Sequence, residues 1–254
     1  IYGMDDNLIK VNNFINECKQ FSHYQFLNER PDHFNGWEGH PRIKRDYCKW
    51  IMSESNCPTL LLDIEFPHEE VAKEAEALLD RYIKHRGDIH PGWASIAVHG
   101  QGSQYTDSPD SYIQKGVFTK ENSPPFDWTD IADQCPVTVD WLKKWPFEKL
   151  HRCRFMLLEP GGYIRPHKDF DQRKLAAFNI AITNPDGVEF AMQDAGLVPW
   201  KPGDVRGIDV GRQHSVINNS DKNRIHMIVH GNWGEGFEDL ICRSFDSLLE
   251  SIKT

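Results

Sequence analysis

The sequence predicts a mainly β protein with flanking helices, built on a jelly-roll core. Apolar residues alternate with period two along the middle of the 254-residue chain, as expected for half-buried strands. Clusters of Gly, Pro, Asn and Asp separate these stretches and indicate turns. Many short strands punctuated in this way are typical of a jelly-roll. The predicted strands are Trp93 to His99, Arg152 to Leu158, Lys174 to Thr183, Val188 to Gln193, Val205 to Val210, His214 to Ile217 and Arg224 to Val229.

Helical spacing occurs on both sides of this core. Glu69 to His85 follows Pro67, carries apolar residues at helical spacing and stops at Gly87, and Phe237 to Ile252 has one apolar face. Val98 to Pro125 lacks a sustained period and is predicted as a long loop that covers a pocket. We therefore expect one structural domain, with residues 1–90 as a helical lead-in packed on the core, 91–233 as the β core and 234–254 as a C-terminal helix. The sequence leaves open whether Ile1 to Met4 are native or a remnant.

Composition excludes several partners. The net charge of −9 and the pI near 5.7 leave no basic stripe for phosphate contacts, so neither nucleic acid nor an anionic membrane is expected as a partner. No apolar run reaches the roughly 18 residues of a membrane span, and the N-terminus lacks a basic region followed by an apolar core. Six cysteines without a C-x-x-C pair indicate reduced thiols and a cytoplasmic enzyme. The oligomeric state stays open.

A candidate metal site begins after the turn at Gly161 and Gly162. His167 and Asp169 lie two residues apart on an extended segment, so their side chains project from one side, and His214 follows on a later strand. Two imidazoles and one carboxylate hold Fe(II) on one face and leave positions for substrate-derived ligands and O2. The competing interpretation is a surface pair and a core histidine, because 12 histidines produce roughly one such triplet by chance.

Arg224 shifts this balance toward a binding site. Its strand places Arg224 and His226 on one face, and Phe178 to Thr183 and Trp93 to His99 each also present a polar or small-residue face, as a barrel interior that holds a polar molecule would. A buried arginine needs an anionic partner, which a dicarboxylate such as 2-oxoglutarate would supply. An ordinary ion pair to Asp or Glu is the alternative.

These residues carry a resemblance to a known family. The chain resembles the aspartyl/asparaginyl β-hydroxylase-like family of Fe(II)/2-oxoglutarate dioxygenases over roughly residues 90 to 232. The segments that carry it are Cys135 to Thr138, Arg154 to Asp169, Ile182 to Pro185, His214 to Asn218 and Arg224 to His226. The His-x-Asp form is closer to the proline-hydroxylase-like branch, since aspartyl hydroxylases have Gly where this chain has Asp169.

The resemblance implies a double-stranded β-helix, iron held by His167, Asp169 and His214, and 2-oxoglutarate bound through Arg224. Iron would then have two positions for 2-oxoglutarate and one for O2. Where some relatives carry Arg and His toward the co-substrate, this chain has Ala177 and Asn179. The predicted co-substrate contacts are Arg224, Asn179, Thr183 and His226, with His226 compensating for the lost charge.

The resemblance makes a small molecule, such as an amino acid or derivative, the favoured substrate for hydroxylation of an unactivated C–H bond. Hydroxylation of Asp, Asn or Pro side chains in a peptide is the second option, and a cupin-like Zn(II) enzyme without O2 chemistry is the third. A binding module that has lost catalysis ranks lowest. Candidate substrate contacts are Trp93, His99, Arg154 and Arg165, with Arg173, Arg206 and Arg212 as further basic residues.

Overall fold

The computed structural model describes residues 5–86, 88–169 and 174–253. Within these residues the chain forms two antiparallel sheets, one of eight strands and one of four. In chain order the strands are β1 Thr59–Leu61, β2 Ile83–Lys84, β3 Trp93–Gly100, β4 Asp127–Trp128, β5 Phe147–Leu158, β6 Tyr163–His167, β7 Ala177–Ala181, β8 Val188–Met192, β9 Gly196–Leu197, β10 Val205–Ile208, β11 His214–Asn218 and β12 Arg224–Trp233.

The large sheet has the strand order β1-β10-β7-β12-β5-β3-β2, with β4 paired to β3, and the small sheet has the order β6-β11-β8-β9. Apolar side chains from both sheets meet in one buried cluster, which includes Leu158 and Ala181 of the large sheet and Phe190 and Val216 of the small sheet. The two sheets therefore pack face to face, which is the jelly-roll that the period-two pattern predicts.

Helices flank the two sheets. They are α1 Asp6–Cys18, α2 Pro41–Ser53, α3 His68–Glu76, α4 Pro109–Gln114, α5 Pro136–Lys144 and α6 Phe237–Ser251. Asp5 caps α1 by accepting a hydrogen bond from the Asn7 amide at 3.0 Å, and α1 buries Val11 and Ile15 against the small sheet. The large sheet buries its outer face under α2, α3, α5 and α6, so its inner face is left to form the site.

Two sequence predictions about the flanks are wrong in detail. The helix predicted over Glu69 to His85 ends at Glu76, because Ile83 and Lys84 pair with β3 as strand β2. The lead-in also contributes β1 to the large sheet, so it is not purely helical. The C-terminal helix agrees with its prediction to one residue, and the predicted loop after Val98 contains the short helix α4.

Candidate functional site

Three side chains meet where β6 and β11 run side by side. His214, the first residue of β11, is the direct strand partner of His167, the last residue of β6, and their ring centroids lie 4.3 Å apart. The His167 Nε2 to Asp169 Oδ1 distance is 3.6 Å. Each of the three residues offers one ligand atom, and these atoms lie within 4.8 Å of one another. The structure thus brings together the imidazoles and the carboxylate that the sequence selects.

Backbone carbonyls fix the orientation of both imidazoles. Nδ1 of His167 donates to the Arg165 carbonyl at 2.8 Å, and Nδ1 of His214 donates to the Arg212 carbonyl at 2.9 Å. Because the proton is on Nδ1, Nε2 of each ring directs its lone pair toward the other possible metal ligands. Burial and the nearby His167 ring hold the pKa of His214 below its usual range, which favours the neutral form that coordinates metal.

A tight turn sets the position of His167. Gly161 adopts φ +74°, and its amide donates to the Asn218 carbonyl at 2.8 Å, which fastens the turn to the end of β11. A Cβ on Gly162 would lie 2.9 Å from the Glu159 carbonyl oxygen. Glycine at this position therefore lets β6 leave the turn in register with β11, so that His167 faces His214.

Arg224 lies inside the barrel as a buried cationic group. It is 3% exposed, and among the described residues no carboxylate is within ion-pair distance of its guanidinium. Nη2 of Arg224 donates to Nδ1 of His226 at 2.9 Å. Nε of Arg224 and Nε2 of His226 are buried and have no hydrogen-bond partner among the described residues. Burial lowers the pKa of Arg224 to about 9, so the group remains charged at neutral pH. These two residues offer buried donors that suit a carboxylate.

Phe190 contacts both the Arg224 guanidinium and the triad, the name used here for His167, Asp169 and His214. Its ring stacks on His214 at 5.8 Å between centroids, and its centroid lies 5.9 Å from Cζ of Arg224. Phe190 belongs to the apolar cluster between the two sheets. The cationic group and the possible metal ligands therefore share one interior, separated by a single apolar ring.

An open cavity of about 1230 Å³ leads to the triad. Its wall includes His167 and Asp169, together with Ala177 and Asn179 of β7. Of the predicted substrate contacts, Trp93, Arg154 and Arg165 line it. The cavity also includes Asp107 and Ser108 from the long loop, which agrees with the prediction that this loop covers a pocket.

His99 does not lie on this wall among the described residues. A β-bulge between Ala97 and His99 breaks the alternation of β3 and pairs His99 with Cys153, which faces the outer core. His99 Nδ1 donates to the His151 carbonyl at 2.9 Å. The prediction that His99 contacts substrate is therefore wrong.

Three other predicted contacts have structural roles. Thr183 accepts a hydrogen bond from the Ile225 amide at 2.8 Å and donates to the Asn223 carbonyl, so it joins β7 to β12 instead of facing the co-substrate. Arg206 pairs with Asp204 at 2.9 Å, and Arg212 pairs with Asp209 at 3.1 Å. Arg173 lies outside the described residues.

Several cavity residues are not among those predicted from the sequence. His90 lies 5.5 Å from His167 between ring centroids, and its Nδ1 accepts the Arg165 amide at 3.1 Å, so its proton is on Nε2. Arg152 of β5 also lines the cavity. Arg152 has a sequence signal, because it lies two positions before Arg154 on one strand face. His90 comes from an irregular loop and has no such signal.

The fold and this donor set define a class of protein. Two histidines and a carboxylate on a jelly-roll, with coordination positions left open, are typical of non-haem iron oxygenases.

A family model described as aspartyl/asparaginyl β-hydroxylase matches residues 64–232, about two thirds of the chain. The chain therefore belongs to the aspartyl/asparaginyl β-hydroxylase family. This match confirms the predicted family and the predicted enzyme class, a hydroxylase. It begins before the resemblance read from the sequence, so α3 and β2 belong to the family region. The comparison with curated proteins gave no match.

Three solved structures illustrate the similarity of the fold. An oxidoreductase of the 2OG-Fe(II) oxygenase family from Burkholderia pseudomallei is 16% identical, with 75% of this chain and 92% of that chain covered and a TM-score of 0.40. A prolyl-4-hydroxylase from Pseudomonas putida is 15% identical, with 74% and 99% covered and a TM-score of 0.41. HygX from Streptomyces hygroscopicus, solved with nickel, 2-oxoglutarate and hygromycin B, is 10% identical, with 68% and 81% covered and a TM-score of 0.36.

All six cysteines are buried and unpaired, as the sequence analysis expects. None of the helices in the described parts of the chain combines the length and the apolar character needed to cross a bilayer.

Proposed function

We propose that this protein hydroxylates an unactivated C–H bond of a small molecule, an amino acid or a derivative, with Fe(II), 2-oxoglutarate and O2. The observation that carries the proposal is the convergence of His167, Asp169 and His214 within 4.8 Å. In this proposal Nε2 of each histidine and the Asp169 carboxylate hold the iron. The carbonyl-anchored Nδ1 protons keep both rings in the required tautomer.

Arg224 holds the distal carboxylate of 2-oxoglutarate in this proposal. The support is its buried guanidinium, which has Nε unpartnered and His226 as its sole hydrogen-bond partner in the described chain. A carboxylate would accept from both residues and neutralise the charge. The same observation disfavours the Zn(II) alternative, because zinc hydrolysis or isomerisation does not need an anion clamp beside the metal.

When bound, Fe(II) with 2-oxoglutarate and O2 supplies an oxidant strong enough for an unactivated C–H bond. The residues of the chain position the reactants and exclude water. Phe190 and Trp200 pack around His214 and His226 and keep the inner part of the site apolar. Asn179 lies on the cavity wall, and in this proposal its side-chain amide donates to the co-substrate, where some relatives have a charged side chain.

The substrate is proposed to enter through the cavity that Trp93 and Arg165 line. An amino acid fits this enclosure, and Asp169 aligns the chain with the proline-hydroxylase-like branch. A volume of about 1230 Å³ exceeds the usual size of a small-molecule site, which favours a peptide side chain as the second candidate.

A cytoplasmic location stays a prediction, supported by six unpaired thiols.

Anaerobic titration tests the metal and co-substrate assignment. Addition of Fe(II) and then 2-oxoglutarate should produce a weak visible charge-transfer band, which His214→Ala should abolish. His40→Ala, at an exposed site away from the triad, is the matched control and should retain it. Absence of the band in the unaltered protein, with tight Zn(II) binding instead, would favour the zinc alternative.

Substrate class is tested by succinate release in air. Free amino acids and short peptides are compared for the succinate that they stimulate above a metal-free control. Stimulation by free amino acids supports the first proposal, and stimulation by peptides alone supports the second. Succinate that never exceeds the metal-free control for any compound would contradict both.

A further inference from the structure

Two arginines line the cavity beside the triad: Arg154, which is one of the predicted substrate contacts, and Arg152, which is not. Arg152 and Arg154 lie two residues apart on β5, so their side chains project from the same face of the strand. Both belong to the wall that also contains His167 and Asp169. Asn179 of β7 and Arg154 lie on either side of Ile228 of β12, because both residues pair with it across the sheet.

Neither guanidinium has an ion-pair partner among the described residues. Arg154 is 7% exposed, its Nη1 donates to the Thr106 carbonyl, and its Nε is buried without a partner. Arg152 is half-buried. Burial lowers the pKa of Arg152 more than the attraction of Asp107 raises it.

Asp107 is the acidic side chain that influences both arginines, but its oxygens are already engaged. It accepts hydrogen bonds from Arg86 at 2.9 Å and from the Ser108 amide and Ser111 hydroxyl at 3.0 Å. The pKa of Arg154 falls to about 9, first through burial and next through repulsion from Arg152, which outweighs the attraction of Asp107. Positive charge therefore remains in excess at this wall.

The described lining of the cavity is cationic in an acidic protein. Its described lining carries more Lys and Arg than Asp and Glu, whereas the chain has a net charge of −9. Concave walls of one sign concentrate molecules of the opposite charge. The lining cations are Lys10, Arg86, Arg152, Arg154, Arg165 and Lys168, and the lining anions are Glu17, Asp107 and Asp169.

We infer that Arg152 and Arg154 bind an oxyanion of the substrate, a carboxylate or a phosphate, and hold that end of the molecule while its reacting C–H bond faces the triad. The role in hydroxylation depends on the proposed function. Guanidinium groups match such oxyanions through paired N–H donors. A neutral substrate would leave two desolvated cations unpaired, so the pair selects acidic small molecules.

Binding to the protein loaded with Mn(II) and 2-oxoglutarate tests this inference without turnover. Calorimetric titrations compare three matched pairs of compounds: L-alanine with L-alaninamide, L-aspartate with L-asparagine, and O-phospho-L-serine with L-serine. The pair with the largest preference for the acidic member identifies whether an α-carboxylate, a distal carboxylate or a phosphate is recognised. Arg152→Gln should weaken that member by roughly 10- to 100-fold, the value expected for a charge-assisted hydrogen bond.

Two further variants keep the result interpretable. Arg154→Lys retains the charge and the contact with the Thr106 carbonyl but loses the planar donor pair, so affinity should fall while the fold is retained. Arg45→Gln, at a 75% exposed side chain away from the cavity, should leave affinity unchanged. Equal affinity for acidic and neutral members, a preference that survives Arg152→Gln, or no acidic member binding below about 1 mM would overturn the inference.

The experiments separate a failure of the proposed function from a failure of this inference. If the charge-transfer band forms but no acidic preference exists, the iron and 2-oxoglutarate assignment stands and the oxyanion site is refuted. If an acidic preference depends on Arg152 but the band never forms, the oxyanion site stands and the dioxygenase assignment is refuted.

Discussion

Replacement of Arg224 by methionine should make the metal-free protein more stable and bind 2-oxoglutarate less well. Burial lowers the pKa of Arg224 from 12.5 to about 9, because the charged form is desolvated and no described carboxylate pairs with it. At about 1.36 kcal/mol per pKa unit, this corresponds to about 5 kcal/mol that disfavours the charged group in the fold. Methionine removes that cost and keeps a long side chain in the apolar cluster.

Loss of the hydrogen bond to His226 offsets part of this gain. Leaving a buried acceptor unsatisfied costs about 1–3 kcal/mol, so Arg224→Met should stabilise the metal-free protein by roughly 2–4 kcal/mol. Calorimetry should then show an increase in Tm of roughly 5–10 °C. Loss of one partner from a desolvated charge pair costs about 2–5 kcal/mol, so the Kd for 2-oxoglutarate in the presence of Mn(II) should rise about 100-fold.

Arg206→Met is the matched control for this prediction. Arg206 is equally buried, but it pairs with Asp204 at 2.9 Å. Its removal leaves a carboxylate unpaired and should cost about 3–5 kcal/mol. A loss of stability in Arg224→Met similar to that in Arg206→Met would show that Arg224 has a protein partner, and the reasoning about its ligand would then be refuted.

Three further predictions concern the site, the turn and the pH dependence. His167→Ala or His214→Ala should abolish metal-dependent succinate release while circular dichroism stays unchanged, because β6 and β11 pair through their backbones. Gly162→Ala should cost about 1–3 kcal/mol in urea denaturation, since the new Cβ would lie 2.9 Å from the Glu159 carbonyl oxygen. Burial lowers the pKa of His85 from 6.5 to about 3, so below pH 6.5 the unfolded chain binds a proton at His85 that the folded chain does not bind. Acidification from pH 6.5 to 5 should therefore lower the free energy of unfolding by about 2 kcal/mol through this residue. His85→Gln should not show this part of the loss.

Each of these predictions has a contradicting outcome. Metal-dependent succinate release by both histidine variants would exclude these residues as metal ligands. Unchanged stability of Gly162→Ala would show that the turn relaxes around a side chain. For pH, His40→Gln at an exposed position should keep the slope of the unaltered protein, and an equal slope in His85→Gln would contradict the assignment to His85.

The strands of the core are predictable because their burial follows period two. Arg224, His226 and Ile228 project inward from β12 while Ile225 and Met227 enter the outer core, as the alternation indicates. The same reasoning fails where geometry departs from regular alternation. A bulge turns His99 away from the cavity, and no local pattern announces it.

Tertiary pairing accounts for the other differences. Ile83 continues the apolar spacing of the preceding helix, but it pairs with Ser95 across β3, and this long-range contact overrides the local pattern. Arg206 and Arg212 have acidic residues two and three positions earlier, Asp204 and Asp209, so their structural ion pairs have a sequence signal.

The candidate site is more predictable than its surroundings. His167 and Asp169 are two positions apart on an extended segment, which places their side chains together wherever the strand lies. The approach of His214 depends on the register of β6 with β11, which the family resemblance implied and no local pattern contains. The cavity wall combines α1, β5 and two loops, and this combination exists only in the folded chain.

Crystals grown without oxygen in Mn(II) and 2-oxoglutarate, measured at the manganese absorption edge, give the most direct test. An anomalous peak should lie between Nε2 of His167, Nε2 of His214 and the Asp169 carboxylate, with the distal carboxylate of 2-oxoglutarate on the Arg224 guanidinium. A peak elsewhere, or a guanidinium paired with a protein carboxylate, would contradict the assignment.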